Sequence, residues 1–289
     1  MKILVTGSNG QLGSEIRTLS VNYPHNRFIL TDLPELDITR EEDVARMMET
    51  ERPDIIINCA AYTAVDRAEQ EPALARLLNA SAPGILARAA RSHDALLVHI
   101  STDYVFDGNN YRPYTESDPV SPVSVYGKSK LDGEREVILH AGRALIIRTS
   151  WLYSSFGANF VKTIRRYGIE RGQLRVVSDQ VGSPTYARDL AAAVLAMTAK
   201  PVSDGTEIFH YANEGITSWY DFARAIIDLS GIPCTVSPIA TKDYPTPAAR
   251  PFYSVFDKTK VKDGFGIEIP YWRDSLAACI RLINAAENV

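Results

Sequence analysis

An α/β fold built on a doubly wound parallel sheet is predicted by three features of this 289-residue chain. Short, continuously apolar runs lie at residues 2–5, 28–31, 55–57, 96–100 and 145–147, as expected of strands covered on both faces. Segments with helical periodicity separate them, at about 11–20, 40–51, 73–91 and 126–140. Such alternation builds a parallel sheet through right-handed crossovers. The third feature is the link between the first strand and the first helix, Gly7-Ser8-Asn9-Gly10-Gln11-Leu12-Gly13.

That link carries chemistry. In a strand–turn–helix setting Gly7 permits the bend, Gly10 lets the backbone approach a pyrophosphate, and Gly13 lets the helix pack on the strand. The anion is held by N–H groups at the helix start, where the macrodipole favours negative charge. The second strand ends at Asp32, about 20 residues past the glycines, where a carboxylate accepts hydrogen bonds from the adenosine ribose and favours NADH. No arginine follows directly to hold a 2′-phosphate; Leu33-Pro34 comes next. A plain turn residue before Pro34 is the other reading of Asp32. The third strand, 55–58, leads into Cys59-Ala60-Ala61-Tyr62-Thr63, small residues where open α/β sheets bind ligands. Asn79 falls within the alanine-rich helical segment 73–91 and is expected to be buried near the sheet.

The fourth strand delivers Ser101-Thr102-Asp103. A hydroxyl at a strand tip can polarise a substrate carbonyl or cap a turn, and Ser101 and Thr102 compete for the role. Residues 107–122, rich in Gly, Asn, Pro, Ser and Asp, form a loop long enough to be functional. Then comes Tyr126-Gly127-Lys128-Ser129-Lys130. At the start of a helix Tyr126 and Lys130 share a face, and a lysine ammonium favours phenolate and lowers the tyrosine pKa. Leu131 and Ile138 of this helix are assigned to the core. Past Arg148-Thr149-Ser150-Trp151 the alternation weakens, with helices at 186–199, 217–229 and 272–286. The expected division is a dinucleotide-binding Rossmann domain at 1–150 and a mainly substrate-binding region at 151–289, some segments of which return to the sheet.

Composition is that of an ordinary globular protein, 45% hydrophobic and 23% charged. A net charge of −4 gives no reason to expect nucleic acid or an anionic membrane as partner. No apolar run approaches the ~18 residues of a membrane span, and the chain enters a strand at once, leaving no room for a signal peptide. Three distant cysteines, Cys59, Cys234 and Cys279, read as reduced thiols and point to the cytoplasm. Cys59 sits in an apolar run and reads as core. No metal is expected, because no His/Cys cluster has ligand spacing, and the five histidines read as structural or solvated.

Several stretches resemble the dTDP-4-dehydrorhamnose reductases, of the extended short-chain dehydrogenase/reductase superfamily. They are Gly7 to Gly13, Asn58 to Asp66, Ser101 to Phe106, Val125 to Lys130, Arg148 to Tyr153, Asp179 to Thr185 and Arg250 to Ser254. The glycine loop and Y-x-x-x-K mark only the superfamily; S-T-D-Y-V-F, R-T-S-W and D-Q-x-G-x-P-T are far more specific. The resemblance implies NADPH- or NADH-dependent reduction of a C4 keto group on a dTDP-sugar, with Thr102, Tyr126 and Lys130 as the catalytic set. It implies cofactor contacts at Gly10, Gln11, Leu12, Asp32, Asp37, Ile38, Ala61, Tyr62, Thr63 and Ile100, besides Gly7, Gly13, Tyr126 and Lys130. Asp103 and Trp151, with Thr102, match positions that touch the sugar nucleotide. Arg250 lies in a family loop that bears on the diphosphate or is a surface arginine before a proline. Many relatives are dimers, making a homodimer the candidate assembly. Cys59 departs from the family, standing where alanine or glycine is usual. Two alternatives stay open: a reductase of another nucleotide-linked 4-keto-deoxysugar, and a non-catalytic cofactor-binding subunit of the methionine adenosyltransferase type.

Overall fold

The computed structural model describes residues 1–287. Six strands, β1 (Lys2–Thr6), β2 (Arg27–Thr31), β3 (Ile55–Asn58), β4 (Leu96–Thr102), β5 (Arg143–Thr149) and β6 (Gly205–Tyr211), form one sheet in the order β6-β5-β4-β3-β1-β2. Every pairing in it is parallel. The chain leaves β1 for β2, then returns to the other side of β1 for β3. That reversal opens a crevice at the carboxyl ends of β1 and β3, the place where open sheets take ligands.

Strand residues alternate between faces with period two. Ile3, Val5, Ile57, Val98 and Ile147 pack with Leu12 and Ile16 of α1 (Gln11–Leu19) and with later apolar residues such as Leu190 and Val194. Leu4, Ile56, Leu97 and Ile146 face the opposite way, onto Met48 of α2 (Glu41–Glu51), Leu86 of α3 (Ala82–Ser92) and Val137 of α4 (Val125–His140). The stretch expected as one helix at 73–91 contains an irregularity: Pro72–Arg76 runs into a π turn at Leu77–Ser81 before α3. On α4, Leu131 is buried as expected, but Ile138 is 51% exposed and Val137 takes the core position. The buried face of α4 runs through Tyr126, Lys130, Glu134 and Val137, at spacings of four, four and three. Ile138 falls one residue off that stripe.

Beyond β5 the chain builds a second core. Helices α5 (Phe160–Arg171), α6 (Ala187–Thr198), α7 (Trp219–Ser230) and α8 (Trp272–Glu287) follow in order. Val161 and Ile164, Phe222 and Ile226, and Leu276 and Ile280 bury their side chains together, while α6 joins β6 in returning to the main sheet. Val181–Gly182 pairs antiparallel with Thr217–Ser218. The loop at 107–122 is docked rather than loose: Tyr114 N–H donates to the Val255 carbonyl (2.9 Å), and Asp257 N–H donates to the Tyr114 carbonyl (2.8 Å). No helix among the described residues is long and apolar enough to cross a membrane.

Candidate active site

The glycine turn is shaped by close approach. Gly7 has φ +65°, and a Cβ on it would lie 2.6 Å from the Ala60 nitrogen. A Cβ on Gly13 would collide with the Gly7 carbonyl and the Ser8 backbone. Gly10 is the N-cap of α1 and supplies no capping side chain, so the first N–H groups of the helix stay open to an anion. Leu12 turns into the core, leaving its backbone to face a ligand. A dinucleotide pyrophosphate fits this cradle. Asp32 follows β2 beside it, its Oδ2 accepting from Asn9 N–H (3.0 Å) and its Oδ1 from Leu33 N–H (3.0 Å). Asp37 is differently engaged: Oδ1 accepts from the N–H and hydroxyl of Thr39 (2.9 and 2.7 Å). The hydroxyl bond, then the N–H bond, hold its carboxyl below the usual range. Ile38 packs in the core beside Leu36 and Val44.

At the end of β3, Tyr62 is fastened at both backbone groups by Asn79. The Asn79 Oδ1 accepts from Tyr62 N–H (2.8 Å), and Nδ2 donates to the Tyr62 carbonyl (3.0 Å) and to Ser129 Oγ (3.0 Å). Asn79 thus bridges the Ala61–Thr63 segment to α4 from inside the π turn, a type of bulge frequent at functional sites. The phenol of Tyr62 donates to Glu71 (2.6 Å). Cys59 is a free thiol pushed up to about 12 by burial.

Thr102 ends β4 and α4 presents Tyr126 and Lys130 to it. The helix starts where it does because Ser124 Oγ accepts from Gly127 N–H (3.1 Å) and Glu69 accepts from Val125 N–H (2.8 Å). Gly127 is required there, since a Cβ would clash with the Tyr104 carbonyl. Lys130 Nζ donates to the Ile100 carbonyl (2.6 Å). Burial pushes Tyr126 up to about 12, against a hydrogen bond with Thr102 that lowers it, with Asp103 adding to the rise. Burial likewise pushes Lys130 down to about 8, opposed by Glu134. The expectation that Lys130 depresses the tyrosine is therefore corrected. Lys130 is not among the groups that shift the phenol, and desolvation of the phenol wins. Thr102 Oγ1 donates to Asp103 Oδ1 (3.0 Å) and accepts from Tyr104 N–H (3.2 Å). Asp103 is buried, which raises its carboxyl to about 7.

Of the two competing hydroxyls, Ser101 is engaged in a buried network that sequence reasoning missed. Ser101 Oγ donates to Glu134 Oε1 (2.5 Å), and Arg148 donates from Nε (2.9 Å) and Nη2 (2.7 Å) to the same carboxylate. Ser101 is turned away from the crevice. Ser101→Ala is expected to cost about 1 kcal/mol of stability, the ordinary worth of one hydrogen bond, because Arg148 still satisfies Glu134. Thermal unfolding and kcat measured together check this; a loss of turnover matching that of Thr102→Ala would make Ser101 the functional hydroxyl.

Two residues from the C-terminal part complete the surroundings. Arg250 donates from Nη2 to Asp66 (2.7 Å), and Ala248 N–H donates to the same side chain (3.2 Å), so it is not a free surface arginine. Trp151, two residues past β5, adopts φ +49° and lies face to face with Trp219. Among the described residues no group of three or more His, Cys, Asp or Glu side chains has metal-ligand geometry.

Comparison with known proteins places these features in one lineage. Residues 1–284 match the family model for the RmlD substrate binding domain. A dTDP-4-dehydrorhamnose reductase from Burkholderia thailandensis is 43% identical over 296 residues, covering 97% of this chain and 98% of that protein. The structure of dTDP-4-dehydrorhamnose reductase from Bacillus anthracis in complex with NADP superposes with a TM-score of 0.92 at 38% identity, covering 97% and 99% of the two chains. A probable dTDP-4,6-dihydroxy-2-methyloxan-3-one 4-ketoreductase from Streptomyces antibioticus is 40% identical, covering 100% of this chain and 97% of that protein. With a match of this extent over both the sheet and the C-terminal core, the chain belongs to the dTDP-4-dehydrorhamnose reductase family.

Proposed function

We propose that this protein reduces the C4 keto group of dTDP-4-dehydro-L-rhamnose to dTDP-L-rhamnose, using NADPH or NADH. The observation that carries the reading is the convergence of Thr102, Tyr126 and Lys130 beyond the strand tips, next to a glycine cradle that a Cβ would fill. In this reading the turn Gly7 to Gly13, with Gln11 and Leu12 offering backbone N–H groups, holds the pyrophosphate. Asp32 meets the adenosine ribose, Asp37 and Ile38 border the adenine, and Ala61, Tyr62, Thr63 and Ile100 line the path to the nicotinamide. When bound, the reduced nicotinamide supplies a hydride to C4 of the sugar. Tyr126 donates a proton to the oxygen that becomes the C4 hydroxyl, and its raised pKa keeps that proton in place throughout the physiological range. Thr102 hydrogen-bonds the same oxygen, orienting the carbonyl. Lys130 binds the nicotinamide ribose, and its charge stabilises the phenolate left after transfer. Asp103 and Trp151 contact the sugar, and residues 151–289 mainly form its binding region. The protein is assigned to the cytoplasm, with a homodimer as its assembly, which sedimentation analysis tests.

The test follows NAD(P)H absorbance as dTDP-4-dehydro-L-rhamnose is added. Stoichiometric oxidation with formation of dTDP-L-rhamnose is expected; oxidation with neither cofactor overturns the reading. The Streptomyces antibioticus relative, named for a different keto sugar, keeps a second substrate in view, so the two dTDP-sugars should be compared by kcat/KM. An intact catalytic set disfavours a purely regulatory subunit.

The rate should depend on pH in a defined direction. Lys130 loses its charge as pH rises through about 8, and Asp103 gains a proton as pH falls through about 7. The expected kcat/KM profile is therefore a narrow bell. Its alkaline limb reports Lys130 and not Tyr126, whose phenol is held near 12. A flat profile to pH 10 would remove the requirement for a charged lysine.

A further inference from the structure

A bulky residue in the left-handed region is an outlier that persists only where its surroundings over-determine it. Trp151 is such a residue, and the structure shows what holds it. Its ring lies on Trp219 with centroids 3.6 Å apart and planes 10° apart. So complete an overlap is not the arrangement two indoles choose for themselves, since aromatic quadrupoles prefer an offset or an edge. It is imposed by the neighbours of the two rings. Gly182 lies close to the indole: a Cβ there would sit 2.5 Å from Ser254 Oγ and 2.7 and 2.8 Å from two of the Trp151 ring carbons. Phe160 braces Trp219 from beyond, at 4.5 Å between centroids.

The positions of Gly182 and Trp219 have one origin. Gly182 pairs with Thr217, and Val181 with Ser218, in a short antiparallel ribbon. Trp219 opens α7 directly after that ribbon, where Ser218 Oγ caps the helix by accepting from Asp221 N–H (3.0 Å). The ribbon is anchored in turn to the 250–254 segment, with Val181 N–H donating to the Phe252 carbonyl (2.8 Å) and Ser254 N–H to the Val181 carbonyl (2.9 Å). Thr102 of β4 pairs with Thr149 of β5, so Trp151 emerges beside the catalytic strand tip, two residues further on.

We infer that Trp219 and Gly182 form a clamp that fixes the plane of Trp151, making them positioning residues for the sugar ring in the reductase reaction. The clamp gives a reason for glycine at 182 in the D-Q-x-G-x-P-T stretch, although its φ is not in the left-handed range: a side chain there would crowd both the indole and the Ser254 hydroxyl. It also gives the strained backbone at Trp151 a purpose. A tryptophan held by packing on one side and by a glycine on another presents a rigid surface and loses little freedom when a ligand arrives. The inference rests on the proposed contact between Trp151 and the sugar.

The experiment compares Trp219→Leu, Trp219→Phe, Gly182→Ala and Trp151→Ala with the parent protein. Stacked indoles give an exciton couplet in far-ultraviolet circular dichroism, which reports the stack without turnover. Binding of dTDP, of the dTDP-sugar and of NADPH is measured by calorimetry, beside steady-state kinetics. Loss of the couplet is expected in Trp219→Leu and its distortion in Gly182→Ala. In both, Kd and KM for the dTDP-sugar should rise about tenfold, while Kd for dTDP alone and for NADPH stays within about twofold. Trp219→Phe, which retains an aromatic face, should fall between them and the parent. Should Trp219→Leu fail to fold, Trp219→Phe tests the stack without touching Gly182, and Gly182→Ala, which also meets Ser254, is read beside it. A lost or distorted couplet with unchanged affinity for the dTDP-sugar overturns the clamp. If Trp151→Ala itself leaves sugar affinity unchanged, the assignment of Trp151 to the sugar falls, and the clamp with it.

Discussion

Tyr126→Phe is expected to lower kcat by 10²–10⁴-fold, the usual range for a positioned general acid, with Kd for NADPH and for the dTDP-sugar within about twofold of the parent. The substitution suits the site. Tyr126 is packed edge-on against Tyr104, with ring centroids 5.4 Å apart at 81°, and phenylalanine keeps that contact. What is lost is the hydroxyl, its hydrogen bond with Thr102 and its proton. Because the change acts on the chemical step, kcat and kcat/KM should fall together, the mark of an interaction made in the transition state. Single-turnover oxidation of bound NADPH measures the step directly. Besides Lys130, another group beside the phenol can hold a proton near neutral pH: Asp103, with its carboxyl raised to about 7. Should the variant keep its activity, Asp103→Asn in the same background would show whether that carboxyl is the acid. Full turnover in Tyr126→Phe would end the assignment of Tyr126 in either case.

How far such a site can be read from sequence depends on how local its signals are. The five apolar runs became β1 to β5, since burial on both faces leaves a contiguous imprint. Strand β6, Gly-Thr-Glu-Ile-Phe-His-Tyr, left none. It is the edge strand of the sheet, its first half is solvent-facing, and polar residues interrupt its hydrophobicity. The glycine turn and the Thr102/Tyr126/Lys130 set were legible because each is a short motif in a recognisable setting. Their energetics were less so. Reading Lys130 as the cause of a depressed tyrosine pKa counts an ammonium four residues from a phenol and leaves out the desolvation both suffer. Glu134 and Arg148 were missed for another reason: they lie on a helix and a strand, and no spacing rule connects them. Trp219 is further still, 68 positions from the indole it covers. Asn79 was placed correctly as buried, but its work as a strap on Tyr62 depends on a π turn for which alanine-rich sequence carries no sign.

The largest effect on stability is expected from Arg148→Ala. Arg148 and Glu134 keep only 3% and 1% of their side-chain surface exposed, and their paired bonds are supplemented by Ser101. Removing one member of such a pair strands the other charge in a low-dielectric interior, which costs about 3–5 kcal/mol, a fall in Tm on the order of 10 °C. Replacing both members is a different matter. Glu134→Leu with Arg148→Met exchanges two buried charges for apolar volume, and such exchanges are often neutral or better, so the double variant should recover most of the stability. Recovery of stability need not bring back function. Glu134 is the one charge that opposes the desolvation of Lys130, and Ser101, which it grips, adjoins both Ile100 and Thr102. Without Glu134 the lysine should lose its proton at lower pH, and the alkaline limb of the kcat/KM profile should move down from about 8. Calorimetric unfolding and a pH–rate profile of the double variant separate the two roles. A stable double variant with an unmoved limb would mean that the buried pair serves the fold alone, and that Lys130 keeps its charge by way of its own hydrogen bond to Ile100.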